Sequence, residues 1–526
     1  MSNKILTLFL FLVPTIIFAQ SSYTNEERIK VLYNGQKYNT FLYYLDRGYL
    51  EDIDVDKLTE KAIQAVLSEL DPHSSYISKE ELKSIDESFQ GNFEGIGIEF
   101  NVLQDTVIVV NTVSGGPSER VGLKAGDRIV KVDTVSVIGI TQTQVPKYLR
   151  GPKGSKVELT VIRHSEIQPL IFTVERDKIP VTSLDAGYKL NDSTGYIKIN
   201  RFMATTSDEF DKAMDEMPNI KNLVLDLRGN GGGLLDQAIK LADNFLPQGA
   251  LIVYTEGRSM SKTEAFAQDS GRFQNGNLVI LLDEESASAS EIVAGAIQDW
   301  DRGIVIGRTS FGKGLVQRQM TLPDSSAIRI TVARYHTPSG RIIQRPFRMG
   351  DAKEYYMNYM KRYTNGELIN PDSIPNDIPD SLKFKTLRLG RTVYGGGGIT
   401  PDIFVPIDTS QYSKYWGKLV GAGIITDYVV DYVDKHRHTL EKRYPSFDVF
   451  DKEYAVTDDM FDALESLGEK KEIAREPEEM TRIKPIAGKQ LKALIAQKLW
   501  STNEYFRVIN ADNDMIKAAL KSFNNL

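Results

Sequence analysis

A chain of 526 residues is too long for one ordinary hydrophobic core and should fold as several domains. With 41% hydrophobic and 26% charged residues it reads as globular, and a formal charge of −7 argues against a general nucleic-acid binder while leaving room for a local basic patch. The absence of cysteine excludes a disulfide framework, a cysteine nucleophile, thiolate metal sites and a lipidated N-terminal cysteine.

Lys4 precedes an apolar run from Ile5 to Phe18 that ends at Ala19. The run is short for a membrane span, so residues 1–19 read as a cleaved signal peptide, with an uncleaved anchor as the alternative, and no later stretch approaches a span. Residues 20–88 read as helical. Leu58, Ala62, Ile63, Val66, Leu67 and Leu70 recur at three- and four-residue spacing and predict one buried helix face, stopped at Asp71-Pro72.

From 89 to 178 the pattern changes to short strands and glycine turns, a small β-rich domain. It opens on Gly95-Ile96-Gly97-Ile98, which alternates glycine with apolar residues. From 179 to 408 strands alternate with helices, the pattern of an α/β core. Residues 345–397 interrupt it with a tyrosine-rich, then proline-rich stretch that reads as a surface insertion. Residues 409–526 are again helical, with stripes at Ile425, Tyr428, Val429, Tyr432 and Val433 and at Leu491, Leu494, Ile495, Lys498 and Leu499.

Three segments of the core carry chemistry. In the first, the strand Leu278 to Leu282 runs through an acidic turn into Ser286-Ala287-Ser288-Ala289-Ser290-Glu291 and a helix. Small neighbours leave the Ser288 hydroxyl approachable, and the helix N-terminus makes the Ala289 N–H a natural oxyanion donor. Read alone, Ser288 with Glu291 is a capping box, and most such serines only cap helices. The second segment, Phe311-Gly312-Lys313-Gly314-Leu315-Val316-Gln317, offers a lysine that serves as a base once burial lowers its pKa. Gln317 is placed to orient its amine. The third, Leu225-Asp226-Leu227-Arg228-Gly229-Asn230-Gly231-Gly232-Gly233, is a strand end with exposed amides, among which the Gly232 N–H is the expected second oxyanion donor. It fits neither nucleotide-binding glycine pattern, and Asp226 and Arg228 read as structural.

Together these segments resemble the carboxyl-terminal processing peptidases, a serine–lysine family that includes the tail-specific proteases. The resemblance covers roughly residues 70–407. It implies Ser288 as nucleophile, Lys313 as base, Gln317 as the lysine's orienting partner, and Gly232 with Ala289 as the oxyanion hole. Leu70 to Tyr76 resembles the segment that precedes the family's PDZ domain. Gly95, Ile96, Gly97 and Ile98 resemble the PDZ loop that receives a peptide C-terminus, with Ile96 and Ile98 expected to line an apolar pocket, or one of them to be plain core. Gly231 departs from the family, which often has proline there, and the insertion separates Gly340–Gln344 from Gly398–Asp402.

The resemblance implies an exported endopeptidase with a ClpP/crotonase-like α/β core, an inserted PDZ domain and helical flanks. It implies no metal or cofactor, and protein or peptide substrates with apolar C-termini. An adaptor or self-association through the helical regions, and a periplasmic location with an extracellular or membrane-associated one as the alternative, complete the expectation. PDZ movement about hinges near Gly91 and Pro180 is expected to gate the site. The rivals are a non-catalytic PDZ scaffold, which has no use for Ser288, Lys313 and Gln317, and a crotonase-like acyl-CoA enzyme, which leaves the PDZ domain unexplained. His73, His164, His336, His436 and His438 show no metal-ligand clustering and read as satisfied or solvated.

Overall fold

The computed structural model describes residues 24–103, 105–163, 166–268, 271–370 and 378–524. The proposed signal segment and His164 lie outside them. The helix Asn25–Gly48 starts on a capping box between Thr24 and Glu27 and has no buried residue. The helix Val55–Ser68 follows, but its predicted face is only partly used: Leu67 is buried, whereas Val66 is 65% exposed. The spacing was correct for a helix, but its neighbour here is a thin β-strand, Ser75–Ile77, rather than a full layer.

The β-rich domain is a six-stranded sheet in which Ile98–Leu103, Thr106–Thr112, Arg128–Val132, Lys156–Ile162 and Leu170–Glu175 pair in that order. Period-two alternation sends Val107, Val109, Val157, Leu159 and Val161 into its core. The chain enters and leaves this domain through one antiparallel neck, Asn92–Gly95 against Asp177–Pro180. On the opposite face of the sheet, Ile108 and Val110 pack against Val430 of the helix Ile424–Arg443. Asn101 donates to Asp427 at 3.1 Å, and Lys498 pairs with Glu99, so the C-terminal helices grip the domain.

The α/β core has a six-stranded sheet ordered Leu184–Asn191, Thr194–Ile199, Asn222–Asp226, Asn277–Leu282, Ile304–Gly307 and Ile403–Phe404. The first pair is antiparallel and the rest are parallel. Parallel strands buried on both faces explain the unbroken apolar run Leu278 to Leu282. Leu225, Ile280 and Leu282 face the helices Thr206–Asp215, Leu235–Asp243 and Ala289–Asp299. Val224, Val279 and Leu281 face the helix Asp514–Phe523, through Met515, Ile516 and Ala519. The far C-terminal helix is therefore part of the core. Asp226 and Arg228 help to seat it: Asp226 is fully buried, ion-paired to Arg228 at 2.5 Å, and Arg228 reaches Asn513 at 3.1 Å. Their structural reading agrees with this placement.

A second sheet joins Ser75–Ile77, Ala327–His336, Leu251–Gly257 and Met260–Phe266, with Leu315–Thr321 also paired to Ala327–His336. The remaining C-terminal helices form a separate core around Leu419, Val429, Val433, Phe450, Leu464 and Leu491. Among the described residues, no helix is long and apolar enough to cross a membrane.

Candidate active site

The core's parallel strands end at the site. Beyond Leu282, Asp283 accepts from the amides of Gly229, Glu285 and Ser286, while Ser286 Oγ donates to the Leu227 carbonyl at 2.9 Å. The acidic turn and the glycine turn are thus stitched together. Ser288 follows with φ 55° and ψ −110°, a conformation that costs a non-glycine residue about 1–3 kcal/mol and is held only where surroundings enforce it. The helix Ala289–Asp299 then begins, buried along its whole length.

What enforces Ser288 is Glu291. Its carboxylate is fully buried and accepts four hydrogen bonds. Ser288 N–H lies at 2.7 Å and Lys313 N–H at 2.9 Å on one oxygen; Gly312 N–H lies at 2.7 Å and Ser310 Oγ at 2.5 Å on the other. Burial pushes this carboxyl up to about 7, against the pull of those donors. The capping-box reading saw only the contact to Ser288. The sequence carries no sign that the same side chain holds the lysine loop.

Lys313 is mostly buried, and its Nζ donates to Gln317 Oε1 at 3.0 Å. Burial, then Arg329, hold its amine below the usual lysine range, while Glu291 and Asp71 pull the other way. Tyr335 OH donates to the Lys313 carbonyl at 2.6 Å and to the Ser288 carbonyl at 3.3 Å, a second brace across the two loops. No hydrogen bond joins Ser288 Oγ to Lys313 Nζ in this conformation. Apo catalytic hydrogen bonds are often long and tighten with substrate.

The Ala289 N–H has no partner among the described residues and opens a buried helix N-terminus, as an oxyanion donor requires. Gly232 packs against it: a Cβ there would stand 2.8 Å from Ser288 Cβ and 3.0 Å from Ala289 N. Its own N–H, however, donates to Asn230 Oδ1 at 2.8 Å. The second oxyanion donor expected from Gly232 is therefore committed elsewhere in this conformation. Asn230 does this because it is the anchor of the turn. It is fully buried, donates to Ile199 O, and its carbonyl accepts from Ala287 N–H and Ser290 Oγ. The amides of Gly231 and Gly233 donate to nothing among the described residues.

In the β-rich domain, Gly95 closes the neck strand and Ile96 and Gly97 form the loop into Ile98–Leu103. The Ile96 and Gly97 amides have no partner among the described residues, consistent with a carboxylate loop. Of the two isoleucines, Ile96 is the core residue. Its side chain is 2% exposed and belongs to the domain core, and its carbonyl is taken by Ser118. Ile98 is half-buried beside it.

The insertion is also more than a surface feature. Its helix Ala352–Lys361 packs on the lysine loop: Arg345 lies over the rings of Phe311 and Tyr355, at 4.5 and 4.2 Å, and Tyr359 meets Phe311 at 4.9 Å. Arg362 donates to the carbonyls of Thr309 and Ser310. His73 is likewise not a bystander. Its ring is edge-on to Tyr355 with Nε2 buried and unpartnered, and its carbonyl accepts from Gln317 Nε2. A backbone contact of that kind has no side-chain signature in sequence. His336 and His436 bond to nearby carbonyls, and no metal-binding cluster occurs among the described residues.

Comparison with known proteins places the chain in a family. Residues 193–348 match Peptidase family S41, residues 95–174 match the PDZ domain, and residues 415–501 match a family of unknown function, DUF8443. The chain is 37% identical to a carboxy-terminal-processing protease of Bartonella bacilliformis, over 62% of this chain and 76% of that protein. It is 33% identical to the carboxy-terminal processing protease CtpA of Bacillus subtilis, over 72% of this chain and 82% of that protein. A probable CtpA-like serine protease of Staphylococcus aureus is 37% identical over 57% of this chain, which spans 60% of that relative's length. With a PDZ domain set into an S41 peptidase core and homology along most of two such relatives, the chain belongs to the carboxyl-terminal processing serine protease family.

Proposed function

We propose that this chain is an exported serine endopeptidase that cleaves through an acyl-enzyme, with Ser288 as nucleophile and Lys313 as base, on a core of the ClpP/crotonase-like type. The observation that carries the reading is the shared grip of Glu291 on the Ser288 and Lys313 amides, which ties nucleophile and base to one buried group. A neutral Lys313 takes the Ser288 hydroxyl proton as Oγ attacks the substrate carbonyl, and the Ala289 N–H stabilises the developing oxyanion. The lysine ammonium then returns its proton to the leaving amine. Water, activated by the same amine, releases the acyl group. Gln317 Oε1 fixes the amine's direction throughout.

The PDZ domain's role in this proposal is to capture apolar C-terminal tails on the edge strand Ile98–Leu103 and its preceding loop. The apolar run behind Lys4 supports export, with the periplasm as the proposed location. The test is cleavage of a peptide series ending in Ala-Ala or in charged residues. Turnover that prefers apolar tails and vanishes in Ser288→Ala and Lys313→Ala is expected, together with fluorophosphonate labelling of Ser288. Undiminished cleavage by either variant would sink the assignment.

A further inference from the structure

Gln317 is held at both ends of its amide. Oε1 accepts from Lys313 at 3.0 Å, and Nε2 donates to the carbonyl of His73, 244 residues earlier in the chain. An amide whose nitrogen is committed to a carbonyl must present its oxygen to the lysine. Turned over, it would set two N–H donors against an ammonium. The His73 carbonyl therefore decides which way Gln317 faces.

That carbonyl is in turn fixed by Asp71. Asp71 Oδ1 accepts from the amides of His73 at 3.0 Å and Ser74 at 3.1 Å, and Oδ2 accepts from Ser74 Oγ at 2.6 Å. Thr331 Oγ1 also donates to Asp71 at 3.0 Å, and Thr331 N–H donates to Ser74 Oγ at 3.2 Å. Thr331 is the cross-strand partner of Gln317 in the pairing of Leu315–Thr321 with Ala327–His336. The ring of contacts thus closes on itself: Gln317 to His73, His73 to Asp71, Asp71 to Thr331, and Thr331 back to Gln317 across the ladder. Tyr356 OH, donating to the Pro72 carbonyl at 3.2 Å, holds the loop's outer side.

We propose that Asp71 is a positioning residue for peptide cleavage, setting the Gln317 amide through the His73 carbonyl and so aiming the Lys313 amine at Ser288. This rests on the serine–lysine reading above. The charged and titratable groups facing the lysine are Glu291, Asp71, His73 and Arg329, with Arg345 beyond His73. His73 is held down to about 4 by burial and by Lys313, so it is neutral at neutral pH. Loss of Asp71 removes an anion that favours the ammonium and frees the oxygen that accepts from it. Both changes weaken proton binding by Lys313, so the acid limb of kcat moves to lower pH. A residue that only supported folding would reduce the yield of active enzyme and leave that limb in place.

The experiment uses the purified chain and an internally quenched peptide ending in Ala-Ala. Asp71→Ala is expected to lower kcat about 100-fold with KM within about threefold, and to move the acid limb down. Asp71→Asn keeps an oxygen for the His73 and Ser74 amides and should recover kcat to within about tenfold of wild type. Thr331→Val removes one bond of the ring without touching the charge, and should lower kcat about three- to tenfold with a smaller shift in the same direction. Should Asp71→Ala prove unfolded by circular dichroism, Thr331→Val decides. Wild-type kcat in the deciding variant overturns the inference, and so does a loss of kcat with an unmoved acid limb. Turnover surviving in Ser288→Ala would instead sink the serine–lysine reading and this inference with it.

Discussion

Replacing Glu291 by glutamine tests whether one carboxylate organises the site. The amide offers one oxygen where the carboxylate offers two, and each carboxylate oxygen now serves two donors. The less damaging orientation places the new NH2 near Ser310 and Gly312. Ser310 can reverse its hydroxyl, but the Gly312 N–H is left facing a donor. An unsatisfied buried N–H costs about 1–3 kcal/mol, and the two bonds that remain lose their charge assistance, worth about 1 kcal/mol each. Relief from burying a charge offsets part of this, so the net destabilisation is about 2–4 kcal/mol. On the proposed mechanism, movement of the Ser288 and Lys313 loops by about 1 Å costs about 100-fold in turnover. Urea denaturation gives the first quantity and peptide turnover the second. A Glu291→Gln variant with an unchanged denaturation midpoint and turnover within threefold of wild type would refute the reasoning.

Two further outcomes follow from the same geometry. Gly232→Ala puts a Cβ 2.8 Å from the Ala287 carbonyl and from Ser288 Cβ at φ +101°, so it should abolish fluorophosphonate labelling and cost about 1–3 kcal/mol in denaturation. Labelling at the wild-type rate would show that the turn can yield. Lys313→Met should eliminate turnover yet raise stability at pH 7, because a folded-state amine pushed below its usual range costs stability wherever the unfolded chain still binds the proton, a relief that the stranded Gln317 Oε1 offsets only in part. For the wild type the sign is the same: stability gained from this group is lost as pH falls from the unfolded lysine value through the folded one. A lower denaturation midpoint for Lys313→Met at pH 7 would count against that sign.

The strands, the helices and the three chemical segments were legible because each is local. Leu278 to Leu282 is apolar without interruption since both faces are covered, and Ser288 and Lys313 stand out against small neighbours. What escaped were relations between distant segments. Glu291 looks like a cap because the sequence reveals only its neighbour at three residues, and its bonds to Ser310, Gly312 and Lys313 exist only after the strand Ile304–Gly307 is docked. The Gly232 amide looked free because the turn's own asparagine could not be seen to fold back on it. Val66 fitted a buried stripe but meets no layer, and the sequence could not say which of Ile96 and Ile98 is core; Ile96 fills the PDZ core. The insertion's aromatic residues read as surface because their partner, Phe311, lies in another segment.

The neck that joins the PDZ domain to the peptidase has a consequence of its own. Asn92 to Gly95 and Asp177 to Pro180 lie side by side in four registered pairs, so the two ends of the inserted domain are already together. A domain attached in this way adds little closure entropy to the folding of its host, and its departure would leave the host strands undisturbed. The inserted domain is therefore a self-contained unit hung on a single two-stranded neck. Beyond the neck, the domain is tied to the C-terminal helices by Ile108 and Val110 on Val430, by Asn101 on Asp427 and by Glu99 on Lys498.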